Sequence, residues 1–191
     1  ISILRVLPNI SIICPCDSFE MQKIMNKCLE TSGPMYIRLA KGGDKVVSQN
    51  FEFKYGKASL YKKSERIMIL STGVTTQIAL ETIEELDKLG IDCGGMHFHC
   101  VKPIDKVSLK KVLKVSKKII TIEEHYVDGG FGSMILEYCN GFMPSQSNKI
   151  LRIGVPNLFT KNYGSQKELM TKHGISSKNL IKKIREINKC L

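Results

Sequence analysis

Apolar strands alternating with amphipathic helices predict an α/β protein, its sheet largely parallel or mixed and covered by helices on both faces. Two observations carry this expectation. Short apolar runs recur at residues 10–13, 67–70, 96–100 and 119–122, and each leads through a glycine or proline turn into apolar residues at helical spacing. In addition, the first 45 residues form a partial βαβ unit, whose faces the residues before Gly42 cannot cover.

Residues 10–13 read as a short buried strand. Pro15 turns the chain, and Asp17 with Glu20 three positions later has the form of a capping box. Met21, Ile24, Met25 and Cys28 mark one helical face, and Gly33-Pro34 ends that helix before a strand at residues 35–39. The unit, residues 1–45, reads as the tail of a domain that begins earlier, and Ile1 in place of methionine agrees with a start inside a longer polypeptide. Lys41-Gly42-Gly43-Asp44 is a turn, and the polar residues 46–54 read as a linker between domains.

Residues 55–191 repeat the alternation more completely. An edge strand at 55–61 and a buried strand at 67–70 lead through Thr72-Gly73 into a helix with Ala79, Ile83 and Leu86 inward and Gly90 as its stop. A strand at 96–100 and a turn at Pro103 follow, then a helix capped by Asp105 with Leu109, Val112 and Val115 facing the core. Residues 119–122 feed the stretch Glu123-Glu124-His125, a glycine turn, and a helix with Met134, Ile135, Tyr138, Cys139 and Phe142 that ends at Pro144. A strand at 150–155 and a final helix from Ser177, with Leu180, Ile184, Ile187 and Leu191 on one stripe, complete the pattern.

The glycine turn is the stretch with most chemical content. Gly129, Gly130 and Gly132 allow positive φ angles, and Glu123 and Glu124 sit at a strand's carboxyl end, where open α/β sheets place functional groups. A phosphate on the helix N-terminus is opposed by Glu123, Glu124 and Asp128, and Ile135 stands where a dinucleotide fingerprint has its last small residue. The residues therefore read as a tight turn with surface carboxylates.

Composition excludes several classes. The balance of 29 basic against 18 acidic residues gives a formal charge of +11, but the lysines are spread over helix faces and turns without interleaved aromatics, so no nucleic-acid partner is expected. No apolar run approaches the length of a membrane span. Seven cysteines without a Cys-x-x-Cys pair read as reduced thiols of a cytoplasmic protein. His97 and His99 share one face of the expected strand, with Cys100 following. Without a second ligand pair at a regular spacing, the sequence assigns no metal there.

An ordered set of segments resembles a known family. Arg5-Val6-Leu7-Pro8-Asn9, Pro15-Cys16-Asp17 with Glu20, and Gly33-Pro34-Met35-Tyr36-Ile37-Arg38-Leu39 come first. Val101-Lys102-Pro103-Ile104-Asp105, the Glu-Glu-His to Gly-Gly-Phe-Gly-Ser stretch and Arg152-Ile153-Gly154-Val155 follow. In that order they resemble the C-terminal part of transketolase-like thiamine diphosphate enzymes, transketolase itself or the related deoxyxylulose phosphate synthase. The resemblance implies that residues 1–45 end a pyrimidine-binding domain and that residues 55–191 form the family's C-terminal α/β domain. It also implies transfer of two-carbon ketol units between sugar phosphates by the complete enzyme, with thiamine diphosphate and Mg.

The family's Gly-Asp-Gly cofactor motif is absent from this chain, so the resemblance implies no catalytic, cofactor-binding or metal residue here. It further implies a homodimer and, as partner, the N-terminal part of the same enzyme. Lys41 falls where family members commonly carry an arginine that binds the acceptor's phosphate, and it reads equally as an ordinary turn lysine. Asp17 reads as a helix cap without a catalytic role, and Asn157 stands where the family often has aspartate. A domain serving only assembly or regulation is the alternative outside catalysis.

Overall fold

A computed structural model describes residues 1–161 and 163–191. In chain order the regular elements begin with β1 (Ser11–Ile13), α1 (Ser18–Cys28), β2 (Met35–Ile37), β3 (Ser59–Lys62), β4 (Ile67–Ser71), α2 (Thr75–Lys88) and β5 (Gly94–His97). They continue with β6 (Cys100–Lys102), α3 (Lys106–Val115), β7 (Lys118–Tyr126), α4 (Phe131–Phe142), β8 (Ile150–Val155), α5 (Gln166–Lys172) and α6 (Ser177–Asn188). The larger sheet has the order β3-β5-β4-β7-β8, with β3 antiparallel to β5 and the other pairs parallel. A smaller sheet places β1 between β2, which is parallel to it, and β6, which is antiparallel.

The expected mixed sheet covered on both faces is present, and β4 shows why. Its run Ile67-Met68-Ile69-Leu70 has no polar interruption because both faces are buried. Ile67 and Ile69 pack with Ala79, Ile83 and Leu86 of α2 and with Leu180 and Ile184 of α6. Met68 and Leu70 face the opposite layer, made by Leu109, Val112 and Leu113 of α3 and Phe131 and Ile135 of α4. Each fully buried aliphatic side chain contributes about 1.5–3 kcal/mol.

Helix starts follow the expected chemistry. The Asp17 carboxylate accepts from the Glu20 N–H at 2.9 Å, and Asp105 from the Ser108 N–H at 3.2 Å. The capping box at Asp17 is only half made, because Glu20 turns its carboxylate to the Cys16 N–H at 2.8 Å and to His97. The short α5 has no counterpart among the helices expected from periodicity. It carries a full capping box, Ser165 with Glu168, but is too short to show a periodic apolar stripe.

Residues 96–100 are not one strand. The chain leaves the larger sheet after His97 and enters the smaller one at Cys100. The Phe98 N–H donates to the Ser71 carbonyl at 2.8 Å, and the His99 carbonyl accepts from the Cys14 N–H at 2.8 Å, so adjacent residues serve different sheets. Apolar patterning hides the crossing because Met96, Phe98, Cys100 and Val101 are all buried. Two further expectations fail at helix ends. Val115 is exposed and Leu113 takes its core place, while Leu191 lies beyond α6 and is also exposed.

Residues 46–54 form no helix or strand, yet they are held down. Asp17 accepts the N–H groups of Val47 at 2.6 Å and Ser48 at 2.7 Å, and the Phe53 ring lies 4.9 Å from that of His99. Against the upward push of burial, the hydrogen bonds from Glu20, Ser48 and Val47 hold the Asp17 carboxyl below its ordinary value.

Candidate functional site

The carboxyl ends of the large sheet's strands meet the carboxyl ends of β1 and β2. Gly73, just after β4, donates its N–H to the Cys14 carbonyl at 3.2 Å, and Arg38, just after β2, pairs with Glu124 of β7 at 3.4 Å. Functional groups gather at such an edge because the chain turns there and exposes loop backbone and side chains.

Glu123 is the first of them, and it is not a surface carboxylate. It is fully buried, and its two oxygens accept the N–H groups of Phe131 at 2.5 Å and Gly132 at 2.8 Å, the free donors of α4's first turn. Burial pushes its carboxyl up to about 7, against the opposing pull of those two N–H groups and of Arg152. Only Gly129 of the turn has positive φ, at 74°. Gly130 and Gly132 are required for close approach instead. A Cβ on Gly130 would overlap the Glu123 carboxylate, and one on Gly132 would meet Thr121 Oγ1 and the same carboxylate. Arg152 braces the turn, its Nη1 donating to the Val127 carbonyl at 2.9 Å and to Ser133 Oγ at 2.6 Å. An anion such as a diphosphate does not fit this helix start, since a carboxylate already holds both donors.

Beside this turn lies an open groove lined by Arg38, Glu124, His125, Tyr126, Gln166 and His173. Gln166 donates its side-chain amide to Glu124, which also pairs with Arg38. His125 places Nδ1 2.9 Å from the Tyr126 carbonyl, and burial holds the imidazole below its ordinary value, with Arg38 acting in the same direction. The neutral ring therefore donates from Nδ1 and keeps its lone pair on Nε2. A guanidinium, an imidazole and a carboxamide around one groove suit a hydroxylated ligand, while the Glu124 carboxylate already engages the Arg38 and Gln166 donors.

Lys41 is exposed on the bend after β2, three residues beyond Arg38, at the side of a cleft lined by Pro15, Asp17, Leu39, Gly43 and Val74. Asn157 is exposed after β8. His97 and His99 do converge, and on Glu20; Cys100 lies beside His99 while packing against Ile13 and Ile24. Although burial pushes the Glu20 carboxyl up, His97 and His99 hold it well below the usual carboxylate range. Sequence reasoning missed Glu20 as a partner because its place three residues after Asp17 already had a local explanation.

Residues 56–180 match the family model described as the transketolase C-terminal domain. The chain belongs to that family. A protein of Methanocaldococcus jannaschii described as a transketolase C-terminal section is 30% identical over 97% of this chain and 58% of its own length. A transketolase family protein of Sinorhizobium fredii is 31% identical over 97% of the chain and 54% of its own. The 1-deoxy-D-xylulose-5-phosphate synthase of Bacillus velezensis is 32% identical over 97% of the chain but only 30% of the synthase. Among solved structures, a split-gene transketolase in an inactive β4 tetramer superposes with a TM-score of 0.86, at 28% identity over 97% of this chain and 60% of that one. The chain thus spans little more than half the length of the first two relatives and under a third of the synthase. No described helix is long and apolar enough to cross a membrane.

Proposed function

We propose that this chain is the C-terminal part of a transketolase that transfers two-carbon ketol units between sugar phosphates. It works only with an N-terminal part that brings thiamine diphosphate and magnesium. The carrying observation is its correspondence, over 97% of its length, with a split-gene transketolase chain. In this reading residues 1–45 close the pyrimidine-binding domain, residues 46–54 connect, and residues 55–191 are the C-terminal domain, which the family match over residues 56–180 supports. The cofactor does not fit the glycine turn, where Glu123 fills the anion position, so no step on this chain runs through it. The chain pairs with a second copy of itself and works in the cytoplasm. Free thiols at all seven cysteines agree with a reducing compartment.

Lys41 holds the acceptor's phosphate as a point charge. One exposed charge-assisted contact contributes about 1.5–3 kcal/mol, so Lys41→Ala raises KM for the sugar phosphate about tenfold or more and leaves kcat nearly unchanged. The deciding experiment combines the chain with its N-terminal part and compares turnover of sugar phosphates with turnover of pyruvate. Ketol transfer between sugar phosphates supports the proposal. Turnover only with pyruvate moves the chain to the second reading, a deoxyxylulose phosphate synthase part, which the 32% identical synthase favours. Calorimetric titration of this chain alone with thiamine diphosphate and magnesium should show no saturable micromolar binding.

A further inference from the structure

We propose that Cys16, Glu20, His97 and His99 bind a divalent cation of borderline softness, with zinc the best match to the donor set. Nothing in the proposed transferase reaction uses these groups, and the inference does not rest on that reading. A donor set of one sulfur, two imidazoles and one carboxylate suits zinc and not the oxygen-loving magnesium of the parent enzyme.

Three separate parts of the chain supply the ligands: Cys16 before α1, Glu20 in its first turn, and the two histidines around the end of β5. Ligand atoms of Cys16, Glu20 and His97 all lie within 4.8 Å of one another, and all three residues are buried. His97 Nε2 is 2.9 Å from one Glu20 oxygen, and His99 Nδ1 is 3.3 Å from the other. In a tetrahedral site with ligands ~2.0–2.3 Å from the metal, neighbouring donors stand roughly 3.3–3.8 Å apart. Cys16, Glu20 and His97 reach that geometry if the Cys16 side chain closes by about an ångström, and His99, which stands outside that trio on the other Glu20 oxygen, joins them by a turn of its side chain.

His99 is the independent sign of a missing ligand. It is 0% exposed, and neither ring nitrogen has a hydrogen-bond partner, since its approach to Glu20 is misaligned for one. Leaving a buried polar group unmade in this way costs about 1–3 kcal/mol. His97, by contrast, is already oriented as a metal-binding imidazole is. Its Nδ1 contacts Thr76 Oγ1 at 2.7 Å, and Thr76 in turn contacts Ser71 Oγ at 3.0 Å, which leaves Nε2 directed at the cluster. The rings of Phe53 and Phe51 cover the histidines at 4.9 and 6.3 Å between centroids, and the buried Cys16 lies under the surface cleft beside Met21, Leu39 and Gly43. On binding, the Cys16 thiol gives its proton to solvent and the thiolate takes its place on the metal.

The test is titration of the metal-free, full-length chain with cobalt(II), followed by displacement with zinc. One equivalent should produce a thiolate-to-cobalt charge-transfer band with tetrahedral visible absorption, and zinc should bleach both and raise the thermal midpoint. Cys16→Ser should abolish the charge-transfer band, and His99→Gln should weaken binding at least about tenfold, with circular dichroism showing both variants folded. Cys190→Ser, which removes the exposed thiol, should change nothing. Absence of saturable one-to-one binding overturns the proposal. So does a band that survives Cys16→Ser, or one that Cys190→Ser removes. If Cys16→Ser does not fold, loss of tight binding in the folded His99→Gln variant carries the proposal, and unchanged binding there overturns it.

Discussion

Glu20 and Glu123 are both buried carboxylates near the start of a helix, and they are held in opposite ways. Glu20 accepts one backbone N–H and faces two imidazoles, and its carboxyl stays well below the usual range. Glu123 accepts two backbone N–H groups and has one imidazole, His125, no nearer than 4.0 Å and itself held below its ordinary value by burial, and burial pushes the Glu123 carboxyl up to about 7 against the pull of those N–H groups and of Arg152. Backbone dipoles satisfy a carboxylate's lone pairs in both places, and the close imidazoles are what hold the Glu20 carboxyl down against burial. Glu20 joins the α1 unit to the large sheet through its contact with His97 Nε2 at 2.9 Å. Glu123 joins β7 to α4 as an inward-facing cap.

The sharpest way to break the comparison is to delete each carboxylate. Glu20→Ala strands the Cys16 N–H and His97 Nε2 in the core, and should cost about 3–5 kcal/mol, while Glu123→Ala should cost about 1–3 kcal/mol for its two N–H groups. Urea unfolding of the metal-free variants measures both, and equal losses would erase the distinction.

A pH series sharpens it. The folded value for Glu123, about 7, lies above the unfolded 4.5. Its contribution to stability is therefore fully present below pH 4.5 and is lost as pH rises through 7, a change of about 3 kcal/mol at most. The stability difference between wild type and Glu123→Gln, followed by chemical unfolding across that window, should carry this slope. A flat difference would mean that the α4 amides keep the carboxylate ionised throughout.

The smallest expected effect tests the packing around Glu123. Gly132→Ala places a methyl against Thr121 and the carboxylate and should cost about 1–3 kcal/mol, whereas Gly141→Ala, where a Cβ meets nothing within 4 Å, should be neutral or slightly stabilising. Thermal midpoints of the two alanine variants separate a close-approach glycine from a merely tolerated one.

The alternation of strands and helices, and with it the layered α/β class, was legible in the residues alone, because period and turn chemistry are local properties. Asp105 as the cap of α3 and Gly90, at φ 68°, as the stop after α2 were equally legible. So was membership in a family, carried by short segments in order. Where the run from Met96 to Cys100 breaks depends on long-range pairing, since the partners that split it, Ser71 and Cys14, lie far away along the chain. The same holds for the candidate sites. Glu20 and His97 are 77 residues apart, and Arg38 and Glu124 are 86 apart, so no spacing announces either pair. Glu123 read as a surface acid because the sequence does not show α4 folding back over β7. Its burial follows from a turn that closes on the carboxylate, with glycines where any side chain would collide.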